Sequence, residues 1–433
     1  MAAHPSTVGR HRFGIARTNS HLASLSVRTD STHLPSRITF GCCAFALVTL
    51  IVGTNLPSPL YAVYAQRFGF SPVVLTLVFA AYAAALVPAL LLAGSAADAF
   101  GYRRVLLPGL AFAVAGVLVF AYAEGTGWLF LARVLQGASV GISSGALTAA
   151  LTRTEPAGRT HRASLVTSLA TTGGGGLGPV LAGACALWLP APTRTCYLIE
   201  AVTLIAAAAG LATLPGALGR SGIRWRVSLP TIPATGRAVF VRACATSFTG
   251  WAVTAVFLSI VPSYVRSLTG NRNLLLAGVA AGLVLLVAAV TQPVATRVGA
   301  RPLQLVGLLS LAGGTALLLV AGTTRSLVVV IAAAVLAGIG QGLAFMGAIR
   351  SANHTAPSSA HAAVISTFYI ATYLGVGVPV VGVGLLATST STTTAVDVFA
   401  VIAGLGSLAV AAVHARAGRA VVASAVGEQP TCR

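Results

Sequence analysis

Lysine is absent from the chain and acids are scarce: all 27 basic residues are arginine, and only seven residues are Asp or Glu. Charged residues make up 8% of the 433 positions, while 56% are hydrophobic. A soluble domain carries about 25% charged residues, so a water-facing surface cannot be assembled from this stock. A soluble globular protein is excluded, and the composition is that of an integral membrane protein. The formal net charge of +20 would suit a nucleic-acid binder if the arginines gathered on one face. They instead occupy short gaps between apolar stretches, as in a membrane protein facing an anionic leaflet. Nucleic acid is not expected as a partner. The missing lysine points to a bacterial source with a high-GC genome.

Metal and nucleotide chemistry are missing too. Cys42, Cys43, Cys185, Cys196, Cys244 and Cys432 show no CxxC or Cys/His ligand spacing, so no metal site is expected. The run Gly173 to Gly176 lies in an apolar segment with no GK[ST] after it, which rules out a phosphate loop. No nucleophile–base pair lies within the apolar stretches, so neither an enzyme nor a bound cofactor is expected.

What the sequence does contain is apolar runs. About 20 residues of helix cross the hydrocarbon layer, and twelve such stretches can be read: 38–64, 73–93, 105–123, 128–151, 163–189, 195–214, 238–264, 273–295, 302–322, 327–349, 361–387 and 393–415. The Ser/Thr-rich break near 388–394 is the weakest. Arginine bias orients them. With the N-terminus in the cytoplasm, 21 arginines fall inside and five outside (Arg67, Arg194, Arg266, Arg272 and Arg325), with Arg133 left within a span. Both termini are expected in the cytoplasm, in the plasma membrane. Residues 1–37 are rich in Ser, Thr, His and Arg and read as a disordered cytoplasmic tail or an upstream mis-assigned start, although a transit peptide shares that composition.

The chain also repeats. Gln136-Gly137 matches Gln341-Gly342 and Pro88 matches Pro293, both at a spacing of 205. Pro59-Leu60-Tyr61 matches Pro262-Ser263-Tyr264 at 203, and His161, Gly175 and Pro179 match His361, Gly375 and Pro379 at 200. The expected organisation is two six-helix bundles, 38–214 and 238–415, joined by a basic cytoplasmic linker, 215–237, and followed by a tail, 416–433. Parallel repeats about an axis along the membrane normal are a known transporter architecture.

Three motifs stand out. Gly94-Ser-Ala-Ala-Asp98-Ala-Phe-Gly101-Tyr-Arg103-Arg104 joins spans 2 and 3; its glycines suit a tight turn, and its acid sits among arginines. Arg133-Val-Leu-Gln136-Gly137 places a cation in span 4, where insertion costs at least about 2.5–3.5 kcal/mol. Gly174-Gly-Gly-Leu-Gly178-Pro179-Val-Leu-Ala-Gly183 in span 5 combines close helix approach with a bend. Together they resemble the GxxxDxxG[RK]xx[RK], RxxQG and GxxxGPxxxG patterns of the major facilitator superfamily, in its twelve-helix drug and metabolite exporter form. The resemblance covers about 38–415. It implies a cytoplasmic latch between the halves at Gly94, Asp98, Gly101, Arg103 and Arg104. It implies a cavity-facing, proton-coupling role for Arg133 with Gln136, and an export-associated bending helix at Gly174, Gly178, Pro179 and Gly183. The second-half copy of the latch, Thr296-Arg-Val-Gly299, lacks the acid. Each motif has a plainer reading: Arg103 and Arg104 as topology signals, Arg133 snorkelling to the outer interface, and the glycines as ordinary packing.

Of the seven acids, only Glu200 sits well inside a span. It is read either as an interfacial acid or as a coupling group able to pair with Arg133. An arginine without carboxylates makes a cavity neutral or electropositive, favouring neutral or anionic molecules. Polar and aromatic residues in spans seek the interior, so Asn55, Tyr61, Tyr82, Gln136, Trp251, Tyr264, Gln341, Tyr369 and Tyr373 are the expected lining, with Tyr61 and Tyr264 equally at home in an interfacial belt. The expected function is proton-coupled efflux of a small, largely apolar compound by a monomeric carrier in the lipid bilayer. An importer, an uncoupled facilitator and a non-transporting receptor or scaffold are the alternatives.

Overall fold

The computed structural model describes residues 36–213, 225–227, 229–270, 273–357 and 360–427. Most of the N-terminal tail, part of the linker and the last six residues lie outside them. Among the described residues the secondary structure is entirely helical. Twelve rods follow in order: α1 (Arg37–Phe68), α2 (Pro72–Ala93), α3 (Tyr102–Ala121), α4 (Thr126–Thr154), α5 (Thr160–Ser168 continuing through Leu169–Gly173 into Gly174–Trp188), α6 (Pro192–Ala212), α7 (Arg237–Ser259, continuing as Val261–Thr269), α8 (Leu274–Arg297), α9 (Ala300–Thr324), α10 (Leu327–Thr355), α11 (His361–Ser389) and α12 (Thr392–Gly427). Eleven of them are each long and apolar enough to cross a membrane. The fifth reaches that length only as a whole, because one π-helical turn at Leu169–Gly173 interrupts it. The chain is a multi-pass membrane protein.

Large side chains such as Val202, Ile205, Val294, Ile402 and Leu405 point outward and are more than half exposed. In water that surface would drive association; in a bilayer it meets lipid tails. Burial inside the bundle instead favours small residues, which let helices approach closely.

Proline shapes both halves alike. Leu56, just before Pro57, interrupts α1, and Ile260, just before Val261-Pro262, interrupts α7. Pro88 lies inside α2 and Pro293 inside α8; Pro179 lies inside α5 and Pro379 inside α11. Each removes a backbone donor and permits a bend.

The halves meet along two seams, α5 against α8 and α2 against α11. In the first, a Cβ on Gly278 would run into the Pro179 carbonyl oxygen and one on Gly282 into that of Gly176. Likewise a Cβ on Gly183 would lie 2.6 Å from Leu274 O. In the second, Thr76 presses on Gly384 and the Val73 amide donates to Thr388 Oγ1 at 3.0 Å. This second seam lies at the end opposite the arginine-rich loops, where Ser58 Oγ also donates to Leu258 O.

Candidate functional site

A cavity of about 440 Å³ lies between the halves. Toward the arginine-poor end its lining stops at Phe79, Arg133 and Leu258, beneath the Ser58–Leu258 and Val73–Thr388 bonds. Toward the arginine-rich end it reaches Leu90, one turn from the end of α2, and Thr148 of α4. The space is sealed at one end and extends toward the other.

Arg133 heads this cavity. Since α4 starts at Thr126, the residue lies two turns in and is 2% exposed. Its Nη1 donates to Thr54 O at 2.6 Å and to Gln136 Oε1 at 3.0 Å. The rings of Tyr82, Phe79 and Tyr61 stand 5.1, 5.3 and 5.7 Å from the guanidinium carbon. Such contacts hold a desolvated cation by the negative faces of the rings. Arg133 does not snorkel to the interface.

Glu200 lies elsewhere. It is 5% exposed on α6 and packs against Gly53 of α1, where a Cβ would sit 2.7 Å from Oε1. Thr203 Oγ1 approaches its Oε2 at 3.4 Å, and Oε1 has no hydrogen-bond partner. The expected pairing with Arg133 is not formed. Arg133 and Gln136 hold the Thr54 and Gly53 carbonyls while Glu200 packs on Gly53, so three side chains reach one turn of α1 without the two charges meeting. Glu200 is enclosed by protein, between α6 and α1, and does not face outward.

Of the expected lining, Asn55, Tyr82, Trp251, Tyr369 and Tyr373 border the cavity and Gln136, Gln341, Tyr61 and Tyr264 do not. Gln136 Nε2 is spent on Gly53 O at 3.0 Å. With its amide oriented to satisfy both neighbours, Gln341 donates to Gly250 O at 2.9 Å and accepts from Trp251 Nε1 at 3.3 Å. Tyr61 covers Arg133, and Tyr264 donates to Leu318 O at 3.3 Å. Gln136, Gln341 and Tyr264 are drawn out of the cavity by the backbone carbonyls they donate to, and Tyr61 by its packing over Arg133. The hydroxyls of Ser144, Thr148, Thr167, Thr171 and Thr172, and the Phe345 ring, line the space and were not anticipated. Their signal was the 3- and 4-residue spacing of hydroxyls along α4 and α5.

At the arginine-rich face, Asp98 sits in a short helix, Ala96–Phe100, and pairs with Arg153 Nη2 at 3.3 Å. Arg153 belongs to α4, so this ion pair closes within one half rather than across the two. Arg103 and Arg104 are exposed at the start of α3. Gly101, at φ +93°, uses a backbone region that favours glycine, whereas Gly94 is helical at φ −51° and does not make the turn. In the second-half copy of this loop, which lacks the acid, Arg350 of α10 donates to the Val298 and Thr296 carbonyls at 2.8 and 3.2 Å. Toward this face the halves are bridged by Gln292 of α8, whose amide meets the Ser168 and Thr172 hydroxyls of α5, and by the linker. Trp225 Nε1 donates to Leu92 O at 2.9 Å and Ser95 Oγ to Arg226 O at 2.7 Å, while Thr367 Oγ1 of α11 donates to Thr231 O at 3.0 Å.

The glycine motif of α5 has two faces. Gly174 and Gly178 back onto α1 of the same half, with Cβ positions 3.2 and 2.5 Å from Val48 O and Val52 O. Gly183, Gly176 and the Pro179 carbonyl meet α8 of the other half. The complementary Gly278-x-x-x-Gly282 of α8 is an equally clear small-residue pattern that the sequence reading passed over.

Twelve helices in two six-helix halves around one central cavity define a membrane transporter. The chain matches the model of the Major Facilitator Superfamily over residues 43–378 and belongs to that superfamily. It is a transporter and not an enzyme. Among solved structures, the xylose transporter XylE from E. coli aligns with 86% of this chain and 96% of its own, at 14% identity and a TM-score of 0.67. A POT family transporter in complex with 5-aminolevulinic acid aligns with 88% and 96%, at 12% identity and a TM-score of 0.71. At that identity the likeness is one of fold. The puromycin resistance protein pur8 of Streptomyces alboniger is 33% identical over 213 residues, 48% of this chain and 41% of that protein, so the match spans less than half of the relative's length.

Proposed function

We propose that the protein exports a small, neutral or anionic, largely apolar compound across a bacterial plasma membrane, driven by protons and working by alternating access. The observation that carries this reading is the cavity itself: sealed toward the arginine-poor end, reaching toward the arginine-rich end, and lined by one cation and no carboxylate. Placing the arginine-rich face in the cytoplasm, as charge bias favours, makes this a conformation that loads from inside. Both termini would then be cytoplasmic and the linker an internal bridge. The relative named for puromycin resistance supports the outward direction. The motifs belong to the same reading, Asp98 with Arg153 fixing the α2–α3 loop beside the linker, Arg133 as the cavity's cation and the α5 glycines as the sliding seam. The carrier is proposed to act as a monomer.

Proton coupling falls to Glu200. It is buried in α6 with one oxygen unpartnered, next to the turn of α1 that Arg133 and Gln136 hold, so protonation there is felt by a helix bordering the cavity. The test is Glu200→Gln in proteoliposomes. It should abolish substrate accumulation driven by a pH gradient and leave substrate exchange intact, because exchange moves no net proton. Continued accumulation by the variant would assign coupling to another group, Asp98 first. An unaltered protein indifferent to the pH gradient would be an uncoupled facilitator.

A further inference from the structure

The charge on Arg133 is held but not neutralised. Its partners are a backbone carbonyl and an amide oxygen, Nε has none, and the three rings around it carry no formal charge. The ion pairs among the described residues involve Asp98 and Glu155, both at the arginine-rich face. A buried guanidinium without a counter-charge is costly, and an anion entering beside it removes that cost. The cavity lining supplies no carboxylate to compete.

The two walls differ in kind. The second half contributes a connected set of rings across α7, α10 and α11: Trp251 stands edge-on to Phe345 at 5.8 Å, Phe368 links Phe345 to Tyr369, and Tyr369 stacks on Tyr373 at 6.4 Å. Because Gln341 already accepts from Trp251 Nε1, that indole offers the cavity π surface and not a donor. The first half contributes the Phe79 and Tyr82 rings close around Arg133 and, below them, hydroxyls. Thr148 and Thr171 donate to carbonyls of their own helices, at 2.9 and 2.8 Å, which leaves their oxygens as acceptors. Thr167 Oγ1 is buried without any partner.

We infer that the cavity takes a flat aromatic acid carrying hydroxyl or N–H donors along one edge: the acidic group beside Arg133, the ring face on Trp251, Tyr369 and Tyr373, and the donor edge toward Thr148, Thr167 and Thr171. This rests on the cavity being the transport site. Its volume of about 440 Å³ lies within the ~300–1,000 Å³ of small-molecule sites. Aromatic stacking supplies contact area that tolerates different ring systems, while the single cation selects charge.

The experiment measures binding of three probes of one ring size to the full chain in lipid nanodiscs: 3-hydroxy-2-naphthoate, 2-naphthol and 2-naphthylmethylammonium. The acid should bind at least about tenfold more tightly than either of the others. Arg133→Gln should erase that preference while leaving 2-naphthol within about threefold. Should that variant fail to fold, Tyr373→Leu should weaken all three probes and leave their order unchanged. Tighter binding of the ammonium, a preference that survives Arg133→Gln, a reordering in Tyr373→Leu, or no binding of any probe overturns the inference. Counterflow in proteoliposomes separates it from the transport reading. Acid bound but not carried sinks transport and leaves the ligand class standing. Ammonium carried while the acid is neither bound nor carried does the reverse.

Discussion

Gln136 and Gln341, 205 positions apart, close the same bond in the two halves: each side-chain amide donates to the carbonyl of a glycine in the first helix of its half, Gly53 at 3.0 Å and Gly250 at 2.9 Å. The neighbouring level repeats too. Ser139 Oγ bonds Gly109 O at 2.6 Å, and its counterpart Ala344 packs on Gly307. The halves part company three residues before the glutamine. Arg133 reaches out to α1 and α2, whereas Gly338 lets α10 close onto α8, with a Cβ position 2.6 Å from Val284 O. One half keeps its cation where the other keeps only a packing contact, so the fold itself does not require the charge.

Gln341→Leu should therefore destabilise the protein by about 1–3 kcal/mol, because the buried Gly250 carbonyl and the Trp251 indole N–H both lose their partner. Thermal unfolding in detergent measures this. A change under about 0.5 kcal/mol would mean that water replaces the amide.

The α5–α8 seam gives a sharper contrast. Gly282→Ala should separate the halves and abolish transport, since its Cβ would collide with the Gly176 carbonyl, a backbone atom that cannot rotate away. Gly41→Ala, with nothing within 4 Å, should leave transport unchanged. Initial transport rates normalised to membrane abundance decide it; equal loss in both variants would point to a general glycine effect.

Much of this was legible in the sequence, because lipid imposes simple rules. Length, apolarity and arginine bias gave the twelve spans, and Pro88/Pro293 and Pro179/Pro379 fell inside equivalent helices. The site was less legible. Polarity alone could not separate Tyr82, which lines the cavity, from Gln341, which stands behind Trp251, since either position satisfies a polar group. Glu200 and Arg133 share a depth, but depth along a helix does not fix azimuth, and α1 supplies separate contacts for each. Gly174 and Gly183 lie nine residues apart in regular helix, which puts them on opposite sides of α5; that spacing does not say that α1 meets one side and α8 the other.

The α4–α5 loop carries a pH dependence of defined sign. Glu155 accepts from the Arg159 amide at 2.6 Å and the Ala157 amide at 2.8 Å, and Arg162 approaches at 3.4 Å. These contacts, the Arg159 amide first, hold its carboxyl below the ordinary value. A depressed carboxyl contributes order that is complete above its unfolded value and is lost as pH falls through its folded value. Amide exchange at Ala157 and Arg159, corrected for intrinsic rate, should be constant from neutral pH down to the ordinary carboxylate range and accelerate only below it. Glu155→Gln should exchange faster throughout. Acceleration already near neutrality would assign the loop's order to another group.

Asp98 and Arg153 are exposed by 39% and 50% of their side chains, and a surface pair of that kind contributes about 0–1 kcal/mol to stability. Asp98→Asn should thus leave unfolding temperature and membrane abundance nearly unchanged. Transport is another matter, because the pair fixes the α2–α3 loop onto the end of α4, beside the Ser95 and Leu92 positions that hold the linker. The linker is tied in turn to α11 at Thr231–Thr367, so the pair stands at one end of a bridge across the mouth of the cavity. Releasing it should shift the balance between the two access states and lower transport at least about tenfold, a shift of roughly 1.4 kcal/mol in that equilibrium. Arg153→Ala should give at least as large a loss, since it also removes the guanidinium from the Tyr102 ring 5.7 Å away, and the double variant should fall short of the product of the two losses because the Asp98–Arg153 pair is shared. If Asp98→Asn transports normally at equal abundance, the loop is only a turn. If the two losses instead multiply, Asp98 and Arg153 act through separate partners.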